Sequence, residues 1–167
     1  YSYYRRRPMA ATGMAAHTGT MQSTPHASHE AHARRGRTHV FVVEDSASIR
    51  TRLIDMLNAI EGVSVVGEAE SAANAVSGIM QTLPDSVVLD IHLPGGSGID
   101  VLRAVHPRAP GIVFIILTNY PNPQYRRICM QAGASHFLDK TAEFNRVGEL
   151  IAKLEPAQTS TATHLSH

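Results

Sequence analysis

The feature that most constrains this chain is a change of hydrophobic period, repeated five times between residues 39 and 154. The runs "HVFVV" (39–43), "VSVVGEA" (63–69), "SVVLDI" (86–91), "IVFIIL" (112–117) and "SHFLD" (135–139) are short, aliphatic and rich in β-branched residues, so they read as strands. Each is followed by a segment with helical spacing: 46–60, 71–83, 98–106, 122–133 and 142–154. In the first of these, Ile49, Leu53, Met56, Leu57 and Ile60 share one face, and Ser46 stands at the expected N-cap. Strands that alternate with helices are joined by crossovers, which makes the sheet parallel and covers both its faces. The runs 40–43, 87–89 and 112–117 are continuously apolar, as doubly buried strands should be. The chain reads as one doubly wound α/β domain.

Outside that pattern the sequence is different. Residues 1–37 show neither period and are rich in Ala, Ser, Thr, His, Gly and Arg, so a disordered, basic N-terminal extension is expected there. Residues 1–38 carry six Arg against one Glu, or +5, and the remaining nine basic and thirteen acidic residues give −4. Four His in the arm (17, 26, 29, 32) match no standard zinc spacing. Residues 155–167 read as a flexible C-terminal tail, leaving 38–154 as the folded unit. The longest aliphatic or aromatic run, Ile112 to Leu117, is far too short to span a bilayer, so no membrane partner is expected. The absence of an apolar signal core and the single Cys129 fit a cytoplasmic location.

Ligands of an open parallel sheet gather at the carboxyl ends of its strands, near the switch point of a 2-1-3-4-5 order. Strand 1 is followed by Glu44 and Asp45, strand 3 delivers Asp90, strand 4 leads into Thr118, and strand 5 into Lys140. Clustered carboxylates repel one another and favour a hard divalent cation, for which Mg2+ is the best match. An ammonium and a hydroxyl beside them supply donors to phosphoryl oxygens. One carboxylate could itself accept a phosphoryl group, and Asp90 is the candidate because it is central and followed by a Pro94–Gly95–Gly96 loop. Lys140 stands out through scarcity: the chain has thirteen Arg and only two Lys.

The motifs "VVEDS", "VVLDIHLPGGSGID", "ILTNY" and "GASHFLDK" stand in the order and spacing of the receiver domain of two-component response regulators. Residues 38–154 resemble that family over 117 of 167 residues, and the single-domain type in particular. The resemblance implies a flavodoxin-like (βα)5 fold. It implies Asp90 as phosphoacceptor, with Mg2+ held by Glu44, Asp45, Asp90 and the backbone carbonyl of His92. It implies Thr118, Lys140 and Phe137 as the phosphate-binding and switch residues, and Asn119 and Tyr120 at the pocket mouth. Phosphorylation is then expected to turn Phe137 inward and to shift the fourth helix. The acidic pair is Glu-Asp where Asp-Asp is commonest, Asn119 stands where many receivers have Ala, and Thr141 where Pro often follows the lysine.

The expected function is that of a signalling phosphoacceptor, with autophosphorylation and autodephosphorylation but no separate substrate to turn over. A sensor histidine kinase or phosphotransfer protein would donate the phosphoryl group. The face of the fourth helix, fifth strand and fifth helix would pass the signal to a downstream protein target or to a second copy in a homodimer. An aspartyl-phosphate hydrolase or transferase is the alternative, but its dehalogenase-type pattern wants a second Asp at position 92, which is His. A nucleic-acid-binding regulator working through the basic arm is a third reading. Residues 38–154 offer it no recognition helix, so DNA binding is not expected.

Overall fold

The computed structural model describes residues 36–156. All but the last two residues of the expected N-terminal arm, and all but the first two of the expected tail, lie outside them. The described chain runs β1 (Thr38–Val43), α1 (Ala47–Asn58), β2 (Val63–Ala69), α2 (Ala72–Thr82) and β3 (Ser86–Leu89). Then come β4 (His92–Leu93), β5 (Gly96–Ser97), α3 (Gly98–Val105), β6 (Val113–Thr118), α4 (Pro123–Gln131), β7 (His136–Asp139) and α5 (Arg146–Ala152). The main sheet is parallel in the order β2-β1-β3-β6-β7, which is the expected 2-1-3-4-5 winding.

Alternation along each strand divides the core in two. Phe41, Val43, Val87, Leu89, Phe114 and Ile116 point to one face, where Ile79, Leu102 and Cys129 from α2, α3 and α4 cover them. Val40, Val42, Val88, Ile115 and Leu117 point to the other, under Leu53 and Leu57 of α1 and Val147 and Ile151 of α5. A continuously apolar strand is what a sheet packed on both faces requires. Two glycines make room for one ring: a Cβ on Gly67 would lie 2.5 Å from Phe41, and one on Gly78 2.6 Å from it.

Local chemistry fixes the helix ends. Ser71 accepts from Asn74 N, Ser97 and Asp100 form a capping box, and Asn122 caps α4 ahead of Pro123. Gly133 ends α4 with φ +113°, a conformation few other residues adopt. Ser46 occupies the N-cap backbone position of α1, but its side chain makes no cap bond and instead lies 3.2 Å from Ser48 Oγ.

Three expectations are corrected. Ladder pairing of the third strand stops at Leu89 instead of 91, although Asp90 N still donates to Val43 O at 3.1 Å. The loop after Asp90 closes as an antiparallel pair, His92 opposite Ser97 and Leu93 opposite Gly96, turning through Gly95 at φ +72°. The fifth helix begins at Arg146, because residues 141–145 are held in turns: Asp139 Oδ1 accepts from Thr141 N, and Glu143 Oε2 from Asp139 N.

Candidate functional site: an acidic pocket at the carboxyl edge of the sheet

The parallel topology brings the residues that leave β1, β3, β6 and β7 to one edge. Carboxylate oxygens of Glu44, Asp45 and Asp90 lie within 4.8 Å of one another. Glu44 and Asp90 are only 2% and 6% exposed, whereas Asp45 faces solvent. Lys140, 7% exposed, reaches between the two buried carboxylates: Nζ donates to Glu44 Oε2 at 2.7 Å and to Asp90 Oδ2 at 2.9 Å. This ammonium offsets the charge of two buried carboxylates that would otherwise be held at high cost.

The electrostatics follow from that geometry. Burial pushes the Glu44 carboxyl above its ordinary range, against the Lys140 bond that favours the ionised form, and the neighbouring Asp90 adds to the rise. Burial works against the charge on Lys140, but its bonds to Glu44 and Asp90 prevail and hold it above the ordinary lysine value. The glutamate also accepts from Ser46 N at 3.2 Å through Oε1. The first member of the acidic pair therefore serves the start of α1 and Lys140 together.

Thr118 is the last residue of β6 and is fully buried. Its Oγ1 accepts from Tyr120 N at 3.1 Å, and its carbonyl accepts from Lys140 N at 2.8 Å. Asn119 and Tyr120 are exposed beyond it. His92 N approaches Asp90 Oδ1 at 3.4 Å, while its ring lies 4.3 Å from that of Tyr120 and edge-on to Tyr125 at 5.9 Å. Tyr125 was missed in the sequence, although its place in the first turn of a helix starting at this edge could have marked it. A cleft of about 420 Å³ opens here, lined by Asp45, His92, Pro94, Ser97, Ile99 and Tyr125 among others.

Phe137 is already turned inward. It is 6% exposed and belongs to the same core as Cys129 and Ala134, with the Arg126 guanidinium 6.0 Å from its ring. The expected inward turn on activation therefore has no room to occur from this state. Close approach at the acidic edge is set by Gly98: a Cβ there would lie 2.1 Å from the Asp90 carbonyl oxygen.

A 2-1-3-4-5 parallel sheet whose carboxyl edge holds three carboxylates, a buried lysine and a buried threonine defines a doubly wound α/β domain with an acidic pocket at its switch point. The family model for the response regulator receiver domain matches residues 40–152, and the chain belongs to that family. The DNA-binding transcriptional activator DevR/DosR of Mycobacterium tuberculosis is 39% identical over 101 residues, 60% of this chain and 46% of that protein. The response regulator GacA of Pseudomonas protegens is 31% identical over 112 residues, 67% of this chain and 53% of that one. The signal receiver domain of the putative response regulator NarL from Mycobacterium tuberculosis superposes with TM-score 0.65 at 29% identity, covering 71% of this chain and 98% of that one. The chain spans about half the length of the curated relatives it matches. Among the described residues, no helix is long and apolar enough to cross a membrane.

Proposed function

We propose that Asp90 accepts a phosphoryl group in a Mg2+-dependent reaction and that residues 38–154 act as the receiver unit of a signalling relay. The observation that carries this reading is the bridge from Lys140 Nζ to Asp90 and Glu44, with Asp45 in reach at the same edge. Three hard carboxylate donors around one point suit a small divalent cation better than zinc or copper. Glu44, Asp45 and Asp90 would hold that ion, together with the His92 carbonyl. Bound there, it would screen the carboxylates and neutralise charge on the transferring phosphoryl oxygens.

The chain's own residues divide the remaining work. An Asp90 carboxylate oxygen forms the new O–P bond as the P–N bond of a phosphohistidine on the donor protein breaks, and the donor's imidazole recovers a proton. Lys140 is placed to leave the carboxylate for the phosphoryl oxygens, and the Thr118 hydroxyl to donate to them. Output then falls to the face formed by α4, β7 and α5, through contact with a protein target or a second copy. The domain is thus a phosphoacceptor that signals, with no separate substrate to turn over. An output at DNA is a second reading, favoured by the 39%-identical activator named for DNA binding. A gel-shift series with and without phosphodonor tests it, and binding with a steep salt dependence would support it.

The primary reading is tested by mixing the protein with Mg2+ and acetyl phosphate and weighing it. The wild type should gain an acid-labile adduct of about 80 Da, one transferred phosphoryl group. Asp90→Asn should gain none while staying folded, since Lys140 keeps its 2.7 Å bond to Glu44. An adduct on the Asp90→Asn protein would move the phosphoacceptor elsewhere.

A further inference from the structure

The corner between β1 and α1 has an unusual support. Its N-cap side chain, Ser46, makes no cap bond, so the ordinary stiffening of a helix start is missing. Arg50, in the first turn of α1, folds back instead. Its Nη1 donates to the Glu44 backbone carbonyl at 2.8 Å. The side chain is 16% exposed, and its other nitrogens lie 3.9 Å from Glu68 and 4.0 Å from Glu70. Glu44 N in turn donates to Ala69 O at 3.0 Å. Both backbone polar groups of Glu44 are therefore tied to the end of β2, one directly and one through Arg50.

We propose that Arg50 is a positioning residue for divalent-cation binding, holding the peptide that carries Glu44 and Asp45 in its ligating orientation. This rests on the reading of the acidic pocket as a metal site. Its consequence is specific to Asp45, which is exposed and whose side chain makes no hydrogen bond or ion pair among the described residues, so its carboxylate is aimed by the backbone alone. The two glutamates contribute little energy, because they are exposed and sit at the limit of ion-pair distance. They orient the planar fork so that one arm faces the carbonyl, which a single ammonium could not do as well.

The sign of the effect separates this role from plain electrostatics. Removing a positive charge beside a cation site should tighten cation binding, as Coulomb's law requires. Removing a residue that aims the ligands should weaken it, by roughly tenfold where outer-sphere partners are lost. Mg2+ affinity is to be measured by calorimetry on wild type, Arg50→Ala and Arg50→Lys, with thermal melts in EDTA to report folding separately. The expected result is weaker binding in Arg50→Ala, partial recovery in Arg50→Lys, and losses that do not follow the melting temperatures. Should Arg50→Ala fail to fold, Arg50→Met keeps the apolar stem and takes its place. Equal or tighter binding in the folded neutral variant overturns the positioning role alone. No saturable Mg2+ binding by the wild type overturns the metal-site reading and this role with it.

Discussion

Lys140 holds the site together before any ion or phosphate arrives. It is the shared partner of two carboxylates that are 2% and 6% exposed. Taking away one member of a buried ionic group leaves the others unpaired, at about 3–5 kcal/mol. Lys140→Met should therefore lose stability of that order in urea unfolding with EDTA present. Added Mg2+ should restore part of it, since a second cation can take the ammonium's place. A Lys140→Met protein as stable as wild type in EDTA would mean that the bridge contributes nothing. The lysine was legible in the sequence because the chain has only two. Arg50 was not, because it is one of thirteen arginines and nothing in its spacing separates it from a solvated helix residue. The three carboxylates could be read from strand ends alone. That Glu44 is shared between Lys140 and Ser46 could not, since it depends on how far one side chain reaches across the sheet.

The β3-to-α3 connection shows where element-level reading stops. Five strands and five helices followed from hydrophobic period, because long-range burial on both faces of the sheet imposes it. The β4–β5 pair did not, being two residues per strand and held by backbone bonds rather than by a pattern of apolar side chains. Gly98 joins that hairpin to α3 with its Cα against the Asp90 carbonyl, and its N donates to Ile91 O at 2.7 Å. Gly98→Ala meets backbone, which cannot step aside as a flexible side chain would. A loss of about 2–3 kcal/mol is expected, along with slower adduct formation, because the displaced atom belongs to Asp90, the proposed phosphoacceptor. Normal melting and normal phosphorylation in Gly98→Ala would disprove the close approach. The late start of α5 has its own signature. Glu143 takes the Asp139 N–H and pairs with Arg146, which together hold its carboxyl below the ordinary glutamate range. A lowered carboxyl pKa contributes stability that is present above the unfolded value and lost as pH falls through the folded one. The Asp139 amide resonance should thus titrate at a lower pH than an unperturbed glutamate would impose, and a midpoint not lowered in this way would remove Glu143 as its partner.

At the scale of the molecule, the question is which part would move if Asp90 takes the proposed phosphoryl group. Phe137 is already packed inward, so the moving part has to be sought one strand over. Thr118 Oγ1 is engaged by Tyr120 N, and Tyr120 O accepts from Asn122 N at 2.8 Å, the residue that caps α4. Turning the Thr118 hydroxyl toward three phosphoryl oxygens gives up the first of these bonds. The freed Tyr120 amide then shifts the second, and with it the start of α4. Tyr120 is 55% exposed and its ring lies tilted against that of His92, so little core packing resists its movement. Phe137, by contrast, lies in a core close-packed enough that a ring flip would open a cavity. Adding beryllofluoride with Mg2+ should accordingly produce its largest amide shifts at residues 120–125, with His92 following, while the Phe137 ring keeps its buried environment. The check is a pair of heteronuclear spectra, free and beryllofluoride-bound, with aromatic assignments for Phe137. If residues 120–125 stay in place while Phe137 changes its environment, the signal leaves through β7 instead, and the Thr118–Tyr120–Asn122 chain of bonds is not the route.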